Sequence, residues 1–406
     1  MKRLCLAVVQ NHPSQLDGAL FQKIAQTSDF DLTVYYLDTG EVSKHVDPEL
    51  GFSPNWDVAV TSGYCAVSCP RGFLRRLRFL RRECFSAAKY DLVIAPGYAR
   101  IDLALLAFLF RSQPLGMRLD TAAIYPESYI KARVKSVVLK YLFRRYSVFH
   151  PVGSLTERFL ESMGISRGRM FRFPYAADND YLHVRSQAFR LQRDEIRRAQ
   201  GIPPRQFVAL GVLKFIPREN PLELLGGFRT FHATSPNSML ILVGTGPLEQ
   251  EIKGYVSAHA LGDSVRLVGY GKYSELPKWY AVSDVFVHPA TQECWGVSVN
   301  EAMACGLPVI ASSGVGSSYD LIENGKNGYQ YATGDEEALA CCLKRIASLA
   351  DRGRRLGEYS AQLIRAWDFQ ATIASLKCAL GAMGCDSADR AARASPVLVT
   401  DRGGVV

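Results

Sequence analysis

Two carboxylates in the second half of the chain have the spacing of a ligand-binding pair. Glu293 and Glu301 are separated by seven residues, and Gly296 lies between them. The sequence VSVNEAMA after Gly296 has the apolar spacing of a buried helix, which we expect to begin near Val297. The amides of Gly296, Val297 and Ser298 would then lie at the positive end of that helix, where an anion binds.

The two carboxylates would bracket a diphosphate that carries a hydroxyl-bearing ring on each side. Glu301 lies one turn inside the predicted helix and can accept hydrogen bonds from a diol, while Glu293 can reach hydroxyls beyond the anion. A diphosphate between two such rings is a nucleotide sugar. The spacing leaves a structural alternative open, in which Glu301 complements the helix dipole and Glu293 is a solvated surface residue.

The segment ECWGVSVNEAMACGLPVIAS (293–312) resembles the EX7E signature of the retaining glycosyltransferases of family 4. The similarity continues in the family's order through LKFIPRENPLELL (213–225), LVGTGPL (242–248) and VRLVGYGKYSELPKWYAVSDVFVHPA (265–290). The resemblance implies the GT-B fold, in which two Rossmann-like domains face each other across a cleft. It also implies that the second domain holds the donor and the first domain holds the acceptor.

The resemblance assigns roles to individual residues. Glu293 would contact the donor sugar, Glu301 the ribose diol, and Lys214 the diphosphate. The family's second cationic position, usually a lysine, is Glu219 here, and an anion about 5 Å from a phosphate charge costs roughly 3 kcal/mol. We therefore expect Glu219 to turn away and Arg218 to supply the second cation. The other predicted donor-binding residues are Gly244, Gly269, Tyr270, Gly296, Val297 and Ser298.

The acceptor side carries weaker signals. QNHPSQ (10–15) stands where the family has a glycine pair, so we expect an unusual acceptor site that includes His12. Arg118 and Asp120 follow a predicted strand at the same edge of the cleft. The alternatives are an incidental loop histidine and an Arg–Asp pair that braces the loop.

The implied reaction is sugar transfer with retention, from a UDP- or GDP-linked donor to a glycan or lipid-linked acceptor of the bacterial cell envelope. The resemblance implies no protein nucleophile, metal ion or cofactor. The DxD patterns at Asp29–Asp31 and Asp178–Asp180 are therefore interpreted as turns. The open alternatives are a nucleotide-sugar epimerase or hydrolase of the same fold, and a non-catalytic nucleotide-sugar-binding protein in which Glu219 marks decay.

The apolar pattern predicts the elements that position these residues. Near-continuous apolar strands that alternate with helices are typical of parallel sheets covered on both faces, and two such series predict two doubly wound α/β domains. The strand candidates are 4–9, 32–37, 92–95 and 115–119, followed by 207–213, 239–244, 265–269, 284–289 and 308–312.

A change of composition marks the predicted domain boundary. The turn-rich FPYAADND (173–180) is followed by a charged segment, 186–204, that we expect to be helical. We therefore predict an N-terminal acceptor domain over 1–180 and a C-terminal donor domain over 186–384, whose last helix packs back toward the first domain. Residues 385–406 have little periodicity and are predicted to be a disordered tail.

The composition is that of a globular protein, since 48% of the 406 residues are hydrophobic and 21% are charged. The longest apolar run, Leu103–Phe110, is too short to cross a membrane, and the first residues lack the long apolar core of a secretory signal. The ten cysteines are scattered without a CxxC pair, which favours reduced thiols. We therefore expect a cytoplasmic protein.

The charge is concentrated in the first half. Residues 1–200 hold 29 Lys and Arg against 19 Asp and Glu, whereas residues 201–406 hold 19 against 20. The arginine-rich segment 71–85 predicts either a helix on an anionic membrane or a surface helix with its apolar stripe turned inward. The basic segment 131–146 favours the membrane. No nucleic-acid-binding module is recognised, so we expect no nucleic acid partner.

Overall fold

The computed structural model describes residues 3–37, 47, 49–51, 60–85, 89–109, 113–121 and 129–384, and the predicted tail 385–406 lies outside them. Within these residues the chain forms twelve strands. They are β1 (Leu4–Gln10), β2 (Phe30–Tyr36), β3 (Cys65–Ser68), β4 (Leu92–Pro96), β5 (Leu115–Leu119), β6 (Val148–Pro151), β7 (Phe207–Val212), β8 (Ser238–Val243), β9 (Val265–Gly269), β10 (Val285–His288), β11 (Val309–Ser312) and β12 (Gly328–Tyr331).

The strands form two six-stranded sheets, and all neighbouring strands pair in parallel. The first sheet has the order β3-β2-β1-β4-β5-β6 and the second has the equivalent order β12-β11-β10-β7-β8-β9. Both are doubly wound, so the chain reverses direction across each sheet between its first and fourth strands. Ligands bind beyond the carboxyl ends of the strands at such a point.

Helices cover both faces of each sheet. They are α1 (Gln15–Gln26), α2 (Phe73–Glu83), α3 (Ile101–Leu109), α4 (Tyr129–Phe143), α5 (Ser154–Ser162), α6 (Asn179–Leu191), α7 (Arg193–Ala199), α8 (Pro221–Thr234), α9 (Glu249–Ala258), α10 (Leu276–Val282), α11 (Val297–Ala304), α12 (Ser318–Leu321), α13 (Glu336–Ala347), α14 (Arg354–Leu363) and α15 (Phe369–Ala382). In the described part of the chain, no helix combines the length and the apolar character needed to cross a bilayer.

The apolar runs explain why the strands form where they do. All nine predicted strands are present, and β5 and β8 are buried along their whole length, as expected for strands covered on both faces. The described residues contain three further strands, β3, β6 and β12. Each has only four residues, and β3 and β12 are sheet edges with partly exposed side chains, so their apolar signal is weak.

Two stretches of chain connect the halves of the molecule. The first is segment 186–204, which was predicted to be helical. It contains the end of α6 and all of α7, because the backbone leaves the helical conformation at Gln192. The last helix, α15, returns to the first domain, where Ile373, Leu376 and Leu380 pack in the same buried cluster as Leu20 of α1. Asp368 caps the start of α15 by accepting a hydrogen bond from the amide of Ala371.

Candidate functional site

Two cavities in the cleft between the domains contain most of the residues predicted to bind a donor. The first has a volume of about 310 Å³ and the second about 810 Å³. The first is lined by Lys214, Glu219, Gly244, Thr245, Tyr270, Ser298 and Glu301, together with Asp47 and Leu50 of the first domain. The second is lined by Arg218, Glu293, Gly296 and Val297, together with Glu49, Tyr98, Asp120, Thr121, Lys135 and Tyr175.

The start of α11 separates these two cavities. The helix begins at Val297, as predicted, and Gly296 precedes it with a positive φ of 87°. A Cβ at Gly296 would lie 2.9 Å from a Val315 methyl group and 3.1 Å from the His288 ring, so another residue would push the loop away. The first amides of the helix therefore lie at the boundary between the cavities, where helix geometry leaves them able to bind an anion.

Glu301 is a buried carboxyl group on α11. Its exposed fraction is 8%, and it accepts a hydrogen bond of 2.8 Å from the hydroxyl of Tyr280. Burial raises the pKa of Glu301 to about 7, although the Tyr280 hydroxyl opposes this shift by stabilising the carboxylate. The group can therefore accept hydrogen bonds from a diol as an anion at and above neutral pH.

Glu293 is held on the loop between β10 and α11 by contacts with the next loop. Its amide donates to the carbonyl of Gly314 at 3.0 Å, and its carbonyl accepts from the amide of Gly316 at 2.8 Å. Trp295 follows on the same loop and is buried, and its ring packs close to Gly153 of the first domain. The loop that carries Glu293 is thus fixed from both domains.

Lys214 lies beyond the carboxyl end of β7, next to the point where the second sheet reverses its strand order. Gly244 follows β8 at the same edge, and a Cβ there would lie only 1.8 Å from the carbonyl oxygen of Leu213. The amide of Gly244 donates to the carbonyl of Gly269 at the end of β9. This close packing of neighbouring strand ends brings Lys214, Gly244 and Tyr270 into one wall of the first cavity.

Arg218 lies between three carboxylates. It donates to Glu293, to Glu219 at 3.3 Å and to Glu49 at 3.2 Å. Burial disfavours its charge, but the hydrogen bond to Glu49 and the negative charges of Glu293 and Glu219 outweigh burial and raise the pKa of Arg218. The guanidinium thus connects the two cavities.

Glu219 does not turn away from the site, contrary to our expectation. Its side chain is buried, and it accepts a hydrogen bond of 2.7 Å from the backbone amide of Lys214. Burial and the nearby Glu293 raise the pKa of Glu219 to about 7, because both disfavour a second negative charge. The position usually occupied by a lysine in the resembled family is therefore a carboxyl group that is partly protonated near neutral pH.

Two acids of the first domain contact the predicted phosphate-binding cations. The amino group of Lys214 lies 2.8 Å from a carboxylate oxygen of Asp47 and 2.7 Å from one of Glu49. Glu49 also lies 3.2 Å from the Nε of Arg218. These acids occur between β2 and β3 in a stretch without a recognisable motif, so sequence reasoning missed them.

The predicted acceptor-side residues occupy three different environments. Asp120 lines the second cavity and accepts a hydrogen bond of 3.1 Å from the Tyr175 hydroxyl. Arg118 is buried behind this wall, where it pairs with Asp17 at 2.7 Å and lies between the rings of Phe173 and Tyr175. His12 is an exposed residue that contacts the carbonyl of Pro13, and it does not line either cavity.

Several residues that sequence reasoning did not single out line the acceptor side of the second cavity. Tyr98 and Thr121 follow β4 and β5, and the Thr121 hydroxyl donates to that of Tyr98 at 3.3 Å. Lys135 reaches the cavity from α4, with its amino group 5.7 Å from the centre of the Tyr98 ring. The positions of Tyr98 and Thr121 after strands were visible in the sequence, but polar residues at such positions are too common to be selected.

Sequence similarity to known proteins is concentrated in the second domain. Residues 192–363 match the family model described as "Glycosyl transferases group 1". The alpha-monoglucosyldiacylglycerol synthase of Acholeplasma laidlawii is 28% identical over 141 residues, which cover 34% of this chain and 34% of that protein. The chain spans about a third of the length of the curated relatives it matches first.

The resemblance to solved structures covers almost the whole chain. Sucrose-phosphate synthase from Thermosynechococcus elongatus has a TM-score of 0.71 at 18% identity, covering 95% of this chain and 100% of that one. Anabaena HepE, solved in complex with UDP and glucose, has a TM-score of 0.69 at 16% identity, covering 94% and 100%. Together with the two parallel sheets, these similarities confirm the predicted GT-B fold.

Proposed function

We propose that this chain is a retaining glycosyltransferase of family 4, which moves a sugar from a nucleotide-sugar donor to an acceptor hydroxyl. The observation that carries the proposal is the arrangement around the start of α11. Glu301 and Glu293 line the cavities on its two sides, and the cations Lys214 and Arg218 line the same two cavities. A diphosphate with a hydroxyl-bearing ring on each side is the ligand that fits this arrangement.

Each predicted donor residue then has a defined task. In the first cavity, Glu301 binds the ribose diol of a uridine or guanosine diphosphate, and Gly244, Gly269 and Tyr270 shape the space around the nucleoside. In the second cavity, Glu293 binds hydroxyls of the sugar. The diphosphate lies between them on Lys214, Arg218 and the amides of Gly296, Val297 and Ser298.

The proposed reaction needs no protein nucleophile. The bond between the sugar C1 and the diphosphate oxygen breaks, and the acceptor oxygen bonds to C1 from the same face. The acceptor proton passes to the departing phosphate oxygen, so the products are a glycoside and a nucleoside diphosphate. Lys214, Arg218 and the helix amides stabilise the charge that develops on the phosphate, so the proposal invokes no metal ion or cofactor.

The acceptor would enter from the first domain, beside Asp120 and Tyr98. A glycan or lipid-linked acceptor of the bacterial cell envelope is supported by the wide second cavity and by the relative named as a glycolipid synthase. The basic character of residues 1–200 also fits an anionic surface. We propose that the protein works at the cytoplasmic face of the plasma membrane.

Three helices of the first domain present a surface that fits a membrane contact through residues 71–85. Helices α2, α3 and α4 pack on the same buried cluster, and the rings of Phe108 and Tyr141 stack between α3 and α4 at 5.1 Å. Their outer side combines apolar and basic residues. The exposed ones are Phe73, Leu74, Ile101, Leu105, Leu109, Val137, Val138 and Tyr141, beside Arg71, Arg75, Arg78, Lys140 and Arg144. Such a surface binds anionic lipid by apolar burial and charge together.

Flotation with vesicles tests the membrane contact. The chain should float with vesicles that contain phosphatidylglycerol. With vesicles of pure phosphatidylcholine it should remain in the unbound fraction. Leu74→Glu with Val138→Glu should abolish flotation, because both residues are exposed on the outer side of these helices. The matched control is Leu191→Glu with Leu349→Glu, which alters exposed leucines outside this surface. Equal loss in both double variants, or no flotation of the unaltered chain, would contradict the proposal.

A donor screen tests the transferase proposal. UDP- or GDP-linked sugars should raise the melting temperature, and release of the nucleoside diphosphate should require an acceptor. Glu293→Gln with Glu301→Gln should lower turnover by roughly a hundredfold, since charge-assisted hydrogen bonds to both rings are lost. Glu323→Gln with Glu358→Gln, which alters two acids of the second domain that line neither cavity, is the control.

The outcomes of that screen separate the alternatives. Release of sugar to water or conversion to its epimer would indicate a hydrolase or an epimerase. Binding of donor with every acceptor class inactive would indicate a non-catalytic nucleotide-sugar-binding protein. Absence of binding by all nucleotide sugars, or full activity of the double variant, would contradict the site itself.

A further inference from the structure

Two acids of the first domain occupy the position that the proposed donor diphosphate needs. Asp47 lines the first cavity and Glu49 lines the second, so together they extend across the boundary between the two. That boundary is the start of α11, where the phosphate groups would lie. The acids come from the first domain, whereas the cations they contact belong to the second.

The contacts resemble those that a diphosphate would make. Lys214 is bound by one oxygen from each acid, at 2.8 Å from Asp47 and 2.7 Å from Glu49. Glu49 binds Arg218 through both carboxylate oxygens, each at 3.2 Å, in a two-point contact that guanidinium also makes with phosphate. Two negative charges a few ångströms apart thus face the same two cations.

The electrostatic environment shows that these contacts stabilise the charged forms. Burial disfavours ionisation of Asp47 and Glu49, but other contacts outweigh it. The hydrogen bond from Lys214 and two backbone amides lower the pKa of Asp47, and hydrogen bonds from Arg218 and Lys214 lower that of Glu49. The pKa of Lys214 is raised for the same reason, because its two acidic partners outweigh its own burial. Without these acids, two half-buried cations would face Glu219 and Glu293 alone.

We propose that Asp47 and Glu49 form an internal substitute for the donor diphosphate, which the donor must displace when it binds. The proposal rests on the proposed function, since it assumes that Lys214 and Arg218 hold a diphosphate. The diphosphate would add its own negative charges within a few ångströms of both acids, and this repulsion disfavours joint binding to the two cations, so the donor competes with Asp47 and Glu49 for them. Donor affinity is then reduced by the fraction of molecules in which the acids occupy the site.

Displacement of Asp47 and Glu49 links donor binding to the first domain. When the acids are bound, the contacts of Lys214 and Arg218 join the two domains across the cleft. When the diphosphate replaces them, the acids are released on the side of the cleft that the acceptor uses. The empty site is thereby protected from small anions, and the acceptor side changes only after the donor has arrived.

The test is a titration of the unaltered full chain and two double variants with UDP, GDP, inorganic pyrophosphate and the nucleosides uridine and guanosine. Asp47→Asn with Glu49→Gln should bind UDP or GDP, whichever the unaltered chain prefers, roughly tenfold more tightly. Pyrophosphate should also bind this variant more tightly. Uridine and guanosine should bind it as they bind the unaltered chain, because the acids compete only for phosphate. The gain should shrink as salt screens the ion pairs.

A control must separate this competition from a general change of charge. Glu83→Gln with Glu161→Gln also removes two negative charges from the first domain, at partly exposed ion pairs on α2 and α5. This control should bind UDP or GDP as the unaltered chain does.

Three results would overturn the inference. Unchanged or weaker diphosphate binding by the Asp47 and Glu49 variant would show that the acids do not compete with the ligand. An equal gain in the control would show that net charge alone is responsible. If neither the unaltered chain nor the variant bound any diphosphate, the proposed function would fail, and the inference would fall with it.

Discussion

The two domains share one strand order but differ in how their cleft loops are built. In the second domain, the loops after β7, β8, β9 and β10 all contribute to the two cavities, and glycines hold them close together. In the first domain, the cavity wall combines polar residues after β4 and β5, Lys135 of α4, Tyr175, and acids between β2 and β3. The shared fold provides a crevice where the strand order of each sheet reverses, and the residues of the loops determine which ligand each domain can bind.

The charge of the two domains follows the same division. The second half is nearly neutral overall, and its basic residues at the cleft are the specific pair Lys214 and Arg218. The first half is strongly basic, and much of that charge lies on α2 and α4, where Lys135 lines the second cavity and the exposed Arg75, Arg78 and Lys140 line neither cavity. Under the proposed function, the second domain would use charge to recognise a small ligand and the first would use it to recognise a surface.

The largest expected effect concerns the helix that crosses between the domains. Leu376→Ala removes a fully buried side chain of α15 from the core of the first domain and should lower stability by about 2–5 kcal/mol. Faster hydrogen exchange should appear in α1, which α15 contacts. Leu191→Ala is the control because Leu191 is 92% exposed. If exchange rises only within the second domain, α15 does not stabilise the first.

Next in size is the effect of removing the cation between the two cavities. Arg218→Ala should lower kcat/KM for the donor by roughly ten- to a hundredfold, because one charge-assisted contact to the phosphate is lost. Arg355→Ala, at an exposed arginine of the same domain, should leave steady-state kinetics unchanged. Identical kinetics for Arg218→Ala and the unaltered chain would exclude Arg218 from phosphate binding.

A smaller effect concerns the titration of Glu219. Its folded-state pKa of about 7 lies above the ordinary value of 4.5, so the stability that its protonated form contributes is lost as pH rises through about 7. Glu219→Gln should therefore raise the melting temperature by about 2–4 °C near pH 8 and by less near pH 5. Glu358→Gln, at an exposed acid, should change neither value. An equal gain at both pH values would mean that Glu219 does not titrate in this range.

The sequence predicted most of the second domain because its signals are local. Continuous apolar runs gave the strands, and the spacing from Gly296 to Glu301 gave the start of α11. The short strands β3, β6 and β12 were missed, because runs of only four residues carry a weak apolar signal. The resemblance and the fold together locate Lys214, Glu293 and Glu301 at the cleft.

The rest of the site depends on contacts that no local pattern records. Asp47 and Glu49 reach Lys214 from a position more than 160 residues earlier in the chain. Glu219 was expected to turn away, but the backbone amide of Lys214 and the guanidinium of Arg218 hold it in the wall of the cavity. Arg118 was expected in the cleft, and it instead lies between two aromatic rings behind it. Each of these outcomes is decided by tertiary packing.

The most direct test of the proposed donor site is a crystal structure of the chain with bound UDP or GDP. The terminal phosphate should lie on the amides of Gly296, Val297 and Ser298, with Lys214 and Arg218 within hydrogen-bond distance of its oxygens. The ribose should lie at Glu301, and Asp47 and Glu49 should be withdrawn from both cations. A nucleotide bound elsewhere, or bound with the acids still on Lys214 and Arg218, would contradict the proposal.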